Sequence, residues 1–205
     1  MIFVKRFRPA LQWIHTLFTQ VSRNADDLCL GRWFPLTCRL HEPIFVVRCD
    51  AAPSGMGAIL FKRDKAVEYW ADVITPDDVA FLRAQLESLW QPEFEMLAIL
   101  VSLRVWSSYL QFHSVNVHGD ALAALYAAEK GSSRSPAMHF LAGEIGLLCE
   151  MQSMTLTCKH VPEACNIEAG CLSRLAEGKH IPHSLHDAVR IHVPLVANPF
   201  YLQPQ

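Results

Sequence analysis

No stretch of the 205-residue chain approaches the roughly 18 to 20 uninterrupted apolar residues that a membrane span requires, so a helical membrane anchor is not expected. Excess charge of one sign is also missing. Eighteen Lys and Arg stand against 20 Asp and Glu, a net charge of −2, so no global basic field marks a nucleic-acid partner and any such binding has to be local. The candidates for it are Arg48, Lys62, Arg63, Lys130, Arg134, Lys159 and Arg174, although scattered basic residues are commonly just solvated surface. No Cys-x-x-Cys occurs either: the seven cysteines, at 29, 38, 49, 149, 158, 165 and 171, fall largely inside apolar runs. That pattern fits buried thiols in a reducing, intracellular compartment, cytoplasmic or nuclear, rather than a disulfide framework. His160, Cys165 and Cys171 match no common zinc spacing, and Pro182 interrupts the series His180, His183, His186.

What is present is apolar bulk: 51% hydrophobic residues can bury a full core, and the length suits one domain with extensions. Residues 1–43 read as a helix and a linker. The first 24 carry Lys5, Arg6, Arg8 and Arg23 without one acid, and Leu11, Ile14, Leu17, Phe18 and Val21 keep a helical period, while Gly31, Pro35 and Pro43 break any period further on. A transit peptide or interfacial helix would share these features with a helix that packs on a neighbouring domain.

Strand signals follow at 44–50, 56–63 and 67–73, the last two separated by the turn Arg63-Asp64-Lys65. A short helix near 79–88 and a long one near 92–110 come next, then a strand at 114–119 and an Ala-rich helix near 121–129. Pro136 opens a helix to about Met151, and a strand at 154–160 and a helix at 167–175 close the core. Three strands in a row followed by alternating helix and strand imply an α/β fold: a mixed five-stranded sheet, antiparallel over its first three strands and flanked by helices. From 176 to 205 the period is lost, and a tail packing Ile191, Val193, Phe200 and Tyr201 on the core is expected.

Three acids stand out on this frame. Asp50 ends a β-branched run and is followed by a small-residue turn with Ser54, Gly55 and Gly57, backbone bare enough for a phosphate or metal ion to approach. Locally this is no more than a strand ending before a turn. Glu95, however, sits in a helix whose apolar positions include Leu97, Leu100 and Val101, and Asp120 ends the strand-like run SVNVHGD. The order is strand acid, helix acid, strand acid.

In that order the chain resembles the ribonuclease H domain of retroelement reverse transcriptases, especially gypsy-like ones. DAAPSGMGAIL resembles the family's first motif, FEMLAIL its helix motif with a Glu before a Leu-Ala-Ile run, and VNVHGDALAAL the strand carrying its third acid. LTCKHVPEACNIEAGCLSRL resembles the closing motif, a His-Val-Pro-Gly turn, an Asn and then Ala-Asp-x-Leu-Ser-Arg. The resemblance spans about Ile44 to Leu175 and departs where it matters most: the fourth acid falls at position 170, and this chain has Gly170. Ala121 stands where the family usually has Asn, and Glu163 where it usually has Gly.

The resemblance implies a ribonuclease H-like domain over 44–175, preceded by the connection from a polymerase, acting on RNA/DNA hybrids and associated with a reverse transcriptase domain. It implies two magnesium (or manganese) ions, about 3.5–4 Å apart in such sites, that clamp the attacking and leaving oxygens of a phosphodiester. Asp50, Glu95 and Asp120 would be catalytic and metal ligands, with Asp50 bridging both ions and the other two on the leaving-group side. Glycine at 170 offers no ligand for the second ion, so reduced activity is expected. Glu168 lies about 200° further round the helix and does not replace it. Ser54 is a candidate for binding substrate phosphate or sugar and as readily a turn-stabilising residue; Asn166 reads first as the N-cap of the last helix and second as a candidate substrate contact. The competing function is a catalytically inactive scaffold or weak nucleic-acid-binding module on the same fold. An integrase-type nuclease is disfavoured, because its acids run Asp, Asp, Glu.

Overall fold

The computed structural model describes residues 43–74 and 91–193. The expected N-terminal helix, the short helix near 79–88 and the aromatic residues Phe200 and Tyr201 lie outside the described residues.

Strands β1 (Phe45–Ala52), β2 (Gly55–Lys62) and β3 (Lys65–Val73) form the expected antiparallel meander. The β2–β3 connection turns on Arg63 and Asp64, both with positive φ (48° and 64°), the twist that suits a tight hairpin. Strand β4 (Ser114–Gly119) joins β1 in parallel, and β5 (Thr155–His160) joins β4 in parallel. The sheet has six strands where the sequence suggests five. Val189–Arg190, β6, pairs in parallel with β3 and completes the order β5-β4-β1-β2-β3-β6. Two residues carry no periodicity, which is why the sequence pattern does not show this strand.

The helices are α1 (Gln91–Val105), α2 (Ser107–Leu110), α3 (Leu122–Lys130), α4 (Pro136–Gln152) and α5 (Ile167–Ser173). Where a continuous helix to about 110 is expected, α1 stops at Val105 and α2 adds one turn after Trp106. Helix α4 starts as the sequence implies, with Pro136 in its first turn and the Ser135 side chain accepting from the Met138 N–H at 3.4 Å.

Two apolar clusters sort by alternation along the strands. Phe45, Val47, Cys49 and Ala51 of β1 with Met56, Ala58 and Leu60 of β2 join α1, α3 and α4 in the main core; Ile59 joins Tyr69, Leu172 and Leu185 in a smaller one. Helix α1 is the hub of the main core and is buried on all sides from Glu93 to Leu103, rather than on one face. It packs against β1 and β2 as well as α3 and α4, which leaves it no solvent face. Its buried Ser102 is satisfied, donating to the Ala98 carbonyl at 2.7 Å and accepting the Trp70 indole N–H at 3.2 Å.

Helix α5 packs on β1, β2 and β3 and approaches the sheet closely because of two glycines. A Cβ on Gly57 would stand 2.4 Å from Leu172 Cβ, and one on Gly55 would stand 2.7 Å from the Asp72 carbonyl oxygen and 2.8 Å from that of Ser173. The bare backbone read from the sequence as an approach for a ligand is thus filled by the protein's own last helix.

Candidate active site

β1 and β4 run parallel as neighbours, so their C-terminal ends lie side by side at one edge of the sheet. Asp50 stands near the end of β1, Asp120 directly follows β4, and Glu95 projects from the second turn of α1. One ligand oxygen from each of the three lies within 4.8 Å of the others. Asp50 is 2% exposed and Glu95 5%, while Asp120 is half-buried. Among the described residues no other group of His, Cys, Asp or Glu gathers in this way, so neither histidines nor cysteines form a rival metal centre. The basic candidates divide: Arg48 pairs with Glu168 at 3.4 Å and lies over the Phe61 ring, whereas Arg174 reaches the acids' neighbourhood.

Electrostatics show what this packing costs. Burial, then Asp50, then Asp120 push the Glu95 carboxyl up to about 8, against hydrogen bonds from Gln91 and the Ala51 backbone that pull it down. Asp50 is raised too: burial dominates, the Ser173 hydroxyl opposes it, Asp120 adds repulsion and Arg174 offsets some of it. Three hard oxygen donors converging with their charges in conflict fit a small divalent cation, which would reverse the sign of each repulsion.

Two supporting residues escape the sequence reading. The Gln91 side-chain amide donates to Glu95 Oε1 at 3.1 Å and to the Ala51 carbonyl, tying α1 to β1 beside the acids. Ser173, 1% exposed, donates its hydroxyl to Asp50 Oδ2 from α5. The i, i+4 spacing of Gln91 and Glu95 is a local signal for the first. Nothing local links Ser173 to Asp50, which depends on how α5 lies across the sheet.

At Gly170 a Cβ would stand 4.0 Å from Asp50 Oδ2, so the position does face the first acid. Glu168 turns away to Arg48 and to the Ser184 hydroxyl, as helical rotation requires. Ser54 donates to Glu177 Oε1 at 2.6 Å at the surface. Asn166 occupies the N-cap position of α5, but its side chain makes no cap; its amide donates instead to the Cys49 carbonyl at 3.0 Å. At 2% exposure it straps α5 to β1.

Residues 41–142 match the model of the family described as the RNase H-like domain found in reverse transcriptase. Family match and fold agree that the chain carries an RNase H-like domain of the kind found in reverse transcriptase. Among solved structures it is similar to ribonuclease H1 of the halophilic archaeon Halobacterium salinarum, at 17% identity and a TM-score of 0.53, over 66% of this chain and 98% of that one. It is similar also to the N-terminal ribonuclease H domain of a Mycobacterium tuberculosis protein, at 14% identity and a TM-score of 0.52, over 67% of this chain and 95% of that one. At such identities the likeness is one of fold. No curated protein sequence matches significantly, and no helix among the described residues is long and apolar enough to cross a membrane.

Proposed function

We propose that this domain cleaves the RNA strand of RNA/DNA hybrids with magnesium or manganese held by Asp50, Glu95 and Asp120. The observation that carries the reading is the meeting of these three carboxylates, from β1, α1 and the end of β4, within 4.8 Å. A bound divalent cation supplies charge against the phosphate and makes a coordinated water more acidic. The chain's part is to hold it: Gln91 orients Glu95, Ser173 orients Asp50, and Glu95 must give up its proton to become a ligand. Asp120, half-buried where the other two are buried, is the most exposed member of the cluster. Hybrid recognition would rest on backbone shape, phosphates and 2′-OH groups rather than on base sequence.

The second reading, a catalytically inactive scaffold or weak nucleic-acid binder, is favoured by one observation: position 170 faces Asp50 and carries no carboxylate. For either reading, residues 1–43 would be the connection from a polymerase domain and the motifs of the ribonuclease H-like unit span 44–175, with the segment after 175 returning Leu185 and Val189–Arg190 to the core and sheet of that unit. Cleavage of a labelled RNA/DNA hybrid in magnesium and in manganese, with Asp50→Asn as control, separates the two. Metal-dependent cutting of the RNA strand that Asp50→Asn abolishes supports the nuclease; no cutting under either metal, with the hybrid still bound, supports the scaffold.

A further inference from the structure

The side chain that occupies the ground beside Gly170 is Arg174, one helical turn on. Its Nη1 lies 3.2 Å from where a Cβ at 170 would be, and 3.5 Å from the Gly170 carbonyl oxygen. Its Nη2 lies 3.6 Å from Glu163 Oε1, whose side chain is 75% exposed, so this pairing is a loose one at the rim. The side chain of Arg174 is itself 34% exposed, and a guanidinium carries five N–H donors in a planar fork that suits phosphate. These contacts leave donors over. Two departures from the family pattern, Gly170 and Glu163, therefore meet on one arginine: a carboxylate at 170 could pair with it across one turn, whereas with glycine there it is held only by the rim carboxylate of Glu163 and the Gly170 carbonyl.

We propose that Arg174 is a resident cation of the site, binding hybrid phosphate beside Asp50 in the place of a second divalent ion that has no carboxylate at 170 to hold it. The proposal rests on the nuclease reading above. It assigns the positive charge on this side of Asp50 to a residue instead of a metal, so that one tightly held ion and one guanidinium share the work of offsetting phosphate charge. A rival account makes Arg174 no more than a cation at the C-terminal end of α5, where it interacts with the helix carbonyls.

Binding of a fluorescent hybrid without divalent metal, by anisotropy across a salt series, tests the contact without needing turnover. Arg174→Met should weaken binding about ten-fold or more, as losing a charge-assisted contact does, and reduce the salt slope by about one. Arg174→Lys should keep the slope and recover part of the affinity. Glu163→Gln, which touches the guanidinium only from outside, should tighten binding about two- to five-fold. Cleavage adds a second readout through a double-mutant cycle. Arg174→Met should cost about ten-fold or more in the native background but little after Gly170→Asp, which supplies a ligand for a second ion. Unchanged affinity and slope in Arg174→Met, or an equal loss of cleavage in both backgrounds, would overturn the proposal in favour of the helix-end role. Hybrid bound through Arg174 by a protein that cuts nothing would support the phosphate contact and sink the nuclease reading instead.

Discussion

Gln91 and Glu95 are joined one helical turn apart at 3.1 Å, and the nitrogen that makes this bond also reaches the Ala51 carbonyl. The pair fixes the helix-borne acid against the strand that carries Asp50. Gln91→Ala removes that brace while leaving all three carboxylates in place. Magnesium affinity, measured by calorimetry, should then fall by about 10–100-fold, the usual cost of a lost supporting contact, with little change in melting temperature. Undiminished affinity would mean that packing alone orients Glu95.

Glu95 gives the site a pH dependence whose sign is fixed. Its carboxyl is raised from the usual 4.5 to about 8 in the folded protein, so the folded state favours the protonated form. Without metal, the stability this lends is complete below about pH 4.5 and is lost as pH rises toward 8. Magnesium reverses the preference by demanding the carboxylate. Its affinity should therefore climb between these limits with proton release, and both effects should vanish in Glu95→Gln. A flat affinity across this range would refute the prediction.

Asp50→Asn should raise, not lower, the melting temperature of the metal-free protein. The substitution keeps an acceptor for Ser173 and removes a carboxylate that is disfavoured by its own burial and by repulsion from Asp120. A gain of about 1 kcal/mol, a few degrees in a domain of this size, is expected. Stabilisation by added magnesium should disappear at the same time. A lower melting temperature would show that the carboxylate holds the fold together through contacts that the amide cannot make.

Gly57→Ala tests the contact between helix and sheet. Its Cβ would meet Leu172 at 2.4 Å and the Ser173 nitrogen at 3.1 Å, so α5 has to move. Overpacking of this kind costs about 1–3 kcal/mol. Because Ser173 moves with the helix, metal affinity should suffer along with stability, whereas a destabilising change far from α5 should leave affinity intact.

The acids were legible because each lies at an element end that patterning already marks: Asp50 and Asp120 where β-branched runs stop, Glu95 at the start of an apolar helix. Parallel pairing of β1 with β4 then brings two of them together, a relation that alternation of strand and helix implies. The glycines of the first turn serve packing instead of ligand approach. Sequence shows that a backbone is bare without showing what comes to lie on it, and here Leu172 and Ser173 arrive from over a hundred residues away. Ser173 and the placement of Arg174 depend on the same long-range packing. The break at Trp106 is equally non-local, since its indole N–H is drawn to Glu68 of β3 at 2.9 Å.

The sixth strand sets the smallest piece of this chain that will behave well in isolation. Val189–Arg190 covers the outer edge of β3 at Glu68 and Tyr69, Ile191 adds a bond from its N–H to the Tyr69 carbonyl at 2.9 Å, and Leu185 seals the apolar surface of Ile59, Tyr69 and Leu172. A recombinant fragment cut after Leu175, where the motifs end, would bare both the backbone of β3 and that apolar face. Unpaired strand edges recruit other strands. Such a fragment should self-associate on purification, while one carried through Val193 should elute as a single species.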